Sequence, residues 1–189
     1  FSLEPRRPNY LTAIRDAGLT TYGVGKISDI FAGCDIDESF PTKSNVEGIN
    51  RTIELLENID SGLVFTNLVE TDQLWGHRND PVNFHRCLQD FDRRLEDILE
   101  ALRPGDLLIL TSDHGCDPTT PATDHSREHA LLLAYAAGRN AAGRIHETEH
   151  FVHAGFDEMC ALIAGSDDAP SADELAERYE YQTPYTAKD

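Results

Sequence analysis

Long apolar runs are missing from this 189-residue chain. None approaches the roughly 18 consecutive apolar residues that a membrane-spanning helix requires, so no membrane partner is expected. Positive charge is scarce: 16 Lys and Arg stand against 34 Asp and Glu, a formal net charge of −18. Such a surface repels phosphate backbones, which argues against nucleic acid as a partner. Small phosphorylated ligands stay open, because bound divalent cations would invert the local field. Cysteine is sparse. Cys34, Cys87, Cys116 and Cys160 are widely spaced and form no CxxC pair. A disulfide scaffold and a zinc ribbon are both disfavoured, and reduced thiols in a cytoplasmic protein are the simple reading. An initiator Met is absent, Phe1 standing first, so the expectation is a piece of something longer.

What is present is ordinary for one globular domain: 40% hydrophobic and 26% charged residues, in a chain long enough for a sizeable core. Pro8 to Ala17 reads as a helix, with Gly18 as its stop. Thr20 to Val24 is a short strand ending in Gly25. Asn45 to Glu57 is an amphipathic helix with Val46, Ile49, Ile53 and Leu56 near helical spacing. Leu63 to Val69 is a strand. Phe84 to Leu102 is the clearest helix, its stripe being Phe84, Leu88, Phe91, Leu95, Ile98, Leu99 and Leu102; Pro104-Gly105 ends it. Leu107 to Thr111 and Ala130 to Ala136 are strands, and Phe151 to Ile163 a helix. The composition turns acidic after Gly165. This order predicts an α/β fold, a mostly parallel sheet with helices on both faces. Residues 1–165 form the core and 166–189 an acidic C-terminal tail.

In open α/β sheets, ligands bind beyond the carboxyl ends of the strands. Asp72 and His77 follow one strand there, Asp113-His114-Gly115 follows another, and Thr123-Asp124-His125 precedes the next. Carboxylate plus imidazole suits Mn²⁺, Zn²⁺ or Fe²⁺. Each group has a structural alternative. Asp72 could cap the following helix, and His77 and His125 could be plain loop histidines. Asp113-His114 is the stronger pair, since two metal-capable side chains adjoin a glycine that permits a sharp turn.

The runs GKISDIF, FTNLVETDQLWGHR, FDRRL and DLLILTSDHGCDPTTPATDHSRE resemble the phosphopentomutase family of the alkaline phosphatase superfamily. The resemblance spans about Phe1 to Leu133 and weakens after Ala136. It implies an alkaline-phosphatase-like core half holding two divalent metal ions, Mn²⁺ above all. Asp72, His77 and His125 would hold one ion, and Asp113 and His114 the other. It also implies a threonine nucleophile in a missing N-terminal half of the same protein, so that no catalytic nucleophile lies in this chain and the chain alone is inactive. The intact enzyme would be an isomerase of pentose phosphate metabolism. It would interconvert (deoxy)ribose 1-phosphate and 5-phosphate through phosphothreonine, activated by a sugar bisphosphate. Open alternatives are another enzyme of the superfamily, of phosphoglycerate mutase or phosphodiesterase type, or a non-catalytic metal-binding fragment.

Lys26, after another strand, reads either as a cation facing the substrate phosphate or as a surface lysine. Asp29 shares its loop. Ser44 or Asn45 reads as a helix cap. Arg127-Glu128 either orients the His125 loop or forms a surface ion pair. His85, His129, His146, His150 and His153 carry no metal-site pattern of comparable strength. Trp75 reads as packing and Cys116 as an inert thiol.

Overall fold

The computed structural model describes residues 2–6, 8–126 and 130–138. They fall into two compact units. One comprises residues up to Leu102 together with Cys116–Ser126; the other comprises Arg103–Gly115 and 130–138.

The first unit begins with helix α1 (Tyr10–Asp16). Its N-cap Asn9 accepts from the Leu11 and Thr12 amides, and the Thr12 side chain answers in a capping box. Gly18, at φ +74, lets the chain turn away. Strand β1 (Thr21–Val24) follows, then the short helix α2 (Ile27–Ile30), strand β2 (Glu38–Phe40), helix α3 (Asn45–Asn58) and strand β3 (Leu63–Thr66). The three strands form a parallel sheet in the order β2-β1-β3. Central β1 is the best buried, with Thr21 and Val24 fully removed from solvent.

Side-chain alternation places a helix on each face of this sheet. Gly23 pairs with Phe65 in register. On that face Ile27 of α2 approaches Gly23, and the Phe31 ring lies 5.9 Å from the Phe65 ring. Val24 pairs with Thr66 on the opposite face. There Thr66 Oγ1 lies 2.6 Å from Thr52 Oγ1 of α3. The α/β class expected from the order of elements, with a parallel sheet and helices on both faces, is therefore what this unit forms.

At the carboxyl edge Gly25 has φ +78, and a Cβ there would sit 2.4 Å from the Asn67 carbonyl oxygen. Glycine alone allows β1 to hand over to Lys26 beside the end of β3. Ser44 caps α3 by accepting from the Glu47 amide. Asn45 does something else. Its amide donates to Glu70 Oε2 at 3.0 Å, and its Oδ1 accepts from the Glu70 amide at 3.1 Å.

Helix α4 (Pro81–Ala101) is long, capped by Asp80 and started by Pro81. It packs against α3. Its expected apolar stripe is only partly covered. Ile98 is buried and Phe91 and Leu95 half-buried, but Leu88 and Leu99 are exposed, as is Val46 of α3. Helical spacing marks an apolar face, but burial needs a partner, and no described element covers these three residues.

The second unit pairs β4 (Leu107–Thr111) with β5 (Leu132–Ala136), antiparallel, with Ile109 opposite Ala134. Two bonds extend the ladder, from the Gly105 amide to the Ala137 carbonyl and from the Ala137 amide to the Asp106 carbonyl, both 2.9 Å. β5 thus lies where a strand was expected but runs antiparallel to its neighbour. Among the described residues, parallel pairing is confined to the first unit. The expected helix Phe151 to Ile163 and the 166–189 tail lie outside the described residues, as do Arg127, Glu128, His129, His146, His150, His153 and Cys160. Among the described residues no helix is long and apolar enough to cross a membrane, and Cys34, Cys87 and Cys116 form no disulfide.

Candidate metal centre

β3 ends at Thr66, three residues sooner than its apolar run, and the chain passes through Asn67 to Glu70. The reciprocal bonds with Asn45 hold Glu70. Cys87 Sγ of α4 lies 3.4 Å from both Asn45 Nδ2 and Thr71 Oγ1. From this anchored point the chain forms a turn of π-helix, Thr71–Gly76. Sequence patterning suggested only a loop here. A π-helix closes i→i+5 bonds, and the His77 amide accordingly donates to the Asp72 carbonyl at 3.1 Å. That closure stacks residue 77 near residue 72, where an α-helix would carry a residue five positions on to a different face. Asp72 is therefore no helix cap; Asp80 fills that role for α4.

The segment 116–126 lies against this turn. At Gly76 a Cβ would meet Cys116 Sγ at 2.6 Å, the Thr71 carbonyl oxygen at 3.3 Å and Asp72 Oδ1 at 3.5 Å. Cys116 thus packs on the turn, consistent with an unreactive thiol. Asp117 organises the start of the segment, its Oδ1 accepting from the Thr119 amide at 2.9 Å and the Thr119 hydroxyl at 2.6 Å. These bonds hold the Asp117 carboxyl below the usual aspartate range. Asn79 Nδ2 donates to the Thr120 carbonyl at 3.0 Å. His77 Nδ1 lies 2.6 Å from the Thr123 carbonyl oxygen.

These contacts gather Asp72, His77 and His125. His77 Nε2 is 3.4 Å from Asp72 Oδ2, and His125 Nε2 is 3.8 Å from Asp72 Oδ1. The two imidazole rings lie 5.1 Å apart. The Thr123 carbonyl can only accept, so His77 Nδ1 carries the proton and Nε2 presents its lone pair to the carboxylate. Two acceptors facing each other at 3.4 Å repel unless a cation or a proton lies between them. Asp72 Oδ1 is moreover buried with no hydrogen-bond partner. A buried carboxylate oxygen left in that state is costly, and a bound cation removes the cost. One carboxylate and two imidazoles fit a first-row divalent metal ion.

The other expected ligands stand in the second unit. Asp113 and His114 follow β4, with Asp113 exposed and His114 Nε2 3.6 Å from Asp113 Oδ1. His114 Nδ1 lies 3.0 Å from the Gly115 carbonyl oxygen, which leaves Nε2 as its ligand atom by the same tautomer argument. Lys26 is exposed at the N-cap of α2, on the carboxyl edge of the parallel sheet that also leads to the π-helical turn. His85 is exposed on α4. Trp75 lines a groove with Val46, Ile49 and Phe91.

The sequence pattern does not single out Glu70 or Asn79, and it marks Thr123 only as a neighbour of His125. The run Asn79-Asp80-Pro81 was the available signal for Asn79, since Asn or Asp before Pro marks a turn that opens a helix. Nothing local marks the Thr123 carbonyl.

Comparison with known proteins bears out the resemblance carried by the Asp113–Pro118 and Thr123–His125 motifs. The phosphopentomutase of Anaeromyxobacter sp. (strain K) is 55% identical over 139 residues, 74% of this chain and 36% of that protein. That of Thermotoga petrophila is 52% identical over 136 residues, 71% of this chain and 35% of its own length. That of Kosmotoga olearia is 44% identical over 157 residues, 82% of this chain and 40% of its own. The chain thus spans little more than a third of the length of the curated relatives it matches. The sequence model of the Metalloenzyme superfamily matches residues 12–162. With that match over most of its length, and with an acidic-imidazole cluster where a metalloenzyme needs one, the chain belongs to the Metalloenzyme superfamily.

Proposed function

We propose that the chain carries metal-binding machinery of a phosphopentomutase, an enzyme moving a phosphoryl group between the 1- and 5-positions of ribose or deoxyribose. The observation that carries the reading is the Asp72 carboxylate set between two imidazoles within one unit, Oδ2 towards His77 and Oδ1 towards His125, with Oδ1 buried and without a hydrogen-bond partner. In this reading Asp72, His77 and His125 hold one divalent ion and Asp113 and His114 contribute to a second; a mixed oxygen and nitrogen set suits Mn²⁺, Zn²⁺ or Fe²⁺, and the family resemblance favours Mn²⁺ among them. Bound there, such ions supply positive charge to phosphoryl oxygens and acidify a hydroxyl nucleophile. The chain's own residues orient that site. The Thr123 carbonyl fixes the His77 tautomer, Asp72 supplies the negative charge, and Lys26 meets the substrate phosphate at the sheet edge.

None of the motif positions matched here is the threonine that takes up the phosphoryl group. The 189 residues therefore act with the rest of a longer cytoplasmic enzyme, primed by a sugar bisphosphate. Residues 1–165 form the core portion and 166–189 an acidic tail. The relatives named above offer no counterpart for the phosphoglycerate mutase or phosphodiesterase readings.

Titration calorimetry with Mn²⁺ on this chain, beside an assay with ribose 1-phosphate, tests the proposal. One tight and one weak site are expected, with no turnover. His125→Ala weakens the tight site and His114→Ala mainly the weak one. Two equal tight sites, or turnover by this chain alone, would show that the ligands or the nucleophile are misplaced.

A further inference from the structure

Residue 79 stands between the metal-ligand turn and α4. Asp80 caps α4 and Pro81 opens it, so the chain must reverse just before them. Asn79 makes the reversal with φ +52, a left-handed conformation that asparagine tolerates better than most side chains. Its amide donates to the Gly76 carbonyl at 3.1 Å, closing the turn. Its side chain then reaches across 41 positions of sequence to the Thr120 carbonyl. That carbonyl can only accept, so Nδ2 must face it. Asn79 Oδ1 is left buried and unpartnered. The fold accepts an unsatisfied acceptor in order to keep the Nδ2 bond.

Thr120 is a firm point to hold. Its amide and its hydroxyl both donate to the Asp117 carbonyl, at 3.3 and 3.0 Å. A second tie, between His77 and Thr123, uses a ring that is itself a proposed ligand. The Asn79 tie uses no ligand atom, and it holds the same segment whatever state the histidines are in.

We propose that Asn79 is a positioning residue, fastening the 116–126 segment to the Asp72–His77 turn so that His125 stands in place before a cation arrives. The consequence for affinity rests on the metal reading of Asp72, His77 and His125. Ordering a loop costs conformational entropy for every residue fixed. A segment already fastened spares metal binding that cost, which raises affinity without adding a ligand.

Two substitutions test this. Asn79→Gly keeps the left-handed backbone and removes only the amide. Asn79→Asp keeps the shape but replaces the donor by an acceptor facing the Thr120 carbonyl. In the metal-free chain at neutral pH, hydrogen exchange of the backbone amides in 117–126 should rise about tenfold in both variants. Amides of β1 and the C-terminal half of α4 should not change. In Asn79→Gly the melting temperature should hold, while Mn²⁺ affinity at the tight site falls about tenfold, the lower end of what supporting partners of ligands contribute. Unchanged exchange in 117–126, or a rise spread evenly over the chain, overturns the fastening. Raised local exchange with unchanged Mn²⁺ affinity overturns the positioning role. Absence of Mn²⁺ binding by the unmodified chain defeats the metal reading itself, and the exchange result still decides the fastening.

Discussion

At the scale of single residues, the site depends on what is small as much as on what is charged. Gly76 has nowhere to put a Cβ, with Cys116 Sγ 2.6 Å from the position it would take. Gly76→Ala should destabilise the fold by about 1–3 kcal/mol, the usual cost of overpacking. Cys116→Ala in the same chain should recover part of that loss, the Thr71 carbonyl at 3.3 Å keeping the recovery incomplete. Urea denaturation of the two single variants and the double variant measures the coupling, and strict additivity would contradict the packing argument. Asp72 is the opposite case, a charge the structure leaves without a donor at Oδ1. Asp72→Asn removes the negative charge that attracts a cation. Mn²⁺ affinity at the tight site should fall at least tenfold, on the scale of ligand and supporting-partner losses at metal sites. Thermal stability without metal should hold or rise, because an uncompensated carboxylate is gone. Calorimetry and a melt of the metal-free variant check the two halves.

At the scale of elements, helix ends do most of the local positioning. Ser44→Ala removes the acceptor for the Glu47 amide and should cost about 1 kcal/mol by chemical denaturation. Asp80 caps α4 by accepting from the Asn83 amide and side chain, which lowers its carboxyl below the ordinary aspartate value of 3.8. A depressed folded value means the cap's stabilisation is complete above the unfolded value and fades as pH falls through the folded one. Asp80→Asn, which caps without titrating, should therefore lose its deficit against the natural chain as pH drops from about 5 to below 3. Melting curves of both proteins across that range provide the check, and a pH-independent difference would refute the assignment. The π-helical turn obeys no such local signal. Its residues, Thr71 to Gly76, read as a loop after a strand, and the wide turn is held by Glu70 on Asn45 and by Cys116 on Gly76.

At the scale of the whole molecule, two surface properties oppose each other. Val46, Val82 and Leu88 are exposed on α3 and α4 at 57%, 59% and 48%, and Leu133 and Tyr135 of β5 at 45% and 49%. Apolar surface of this kind favours association. The net charge of −18 resists it at low ionic strength. Salt screens the repulsion, with a Debye length of about 8 Å at physiological strength and about 3 Å at 1 M. Sedimentation velocity should show self-association that grows with protein concentration and with salt. A compact monomer at every concentration and salt level would mean that these residues are scattered contacts without consequence.

The sequence by itself determined whatever lies within reach of one element. Helical spacing marked α3 and α4, the apolar run Leu107–Thr111 marked β4, Ser44 or Asn45 marked a cap, and Asp72, His77, Asp113, His114 and His125 stood out as metal-capable side chains beside strand ends. Periodicity, capping and turn chemistry are local, so they can be read locally. Tertiary structure alone decided which apolar positions found cover, since Leu88 and Ile98 share one stripe and only Ile98 is buried. It alone set β5 antiparallel to β4, because strand direction is a property of the pair. It alone brought His125 to Asp72 across more than fifty positions, through a π-helical closure, a glycine under a cysteine and an asparagine bound to a distant carbonyl. Those contacts join segments far apart in the chain, and their energies exist only once the segments have met.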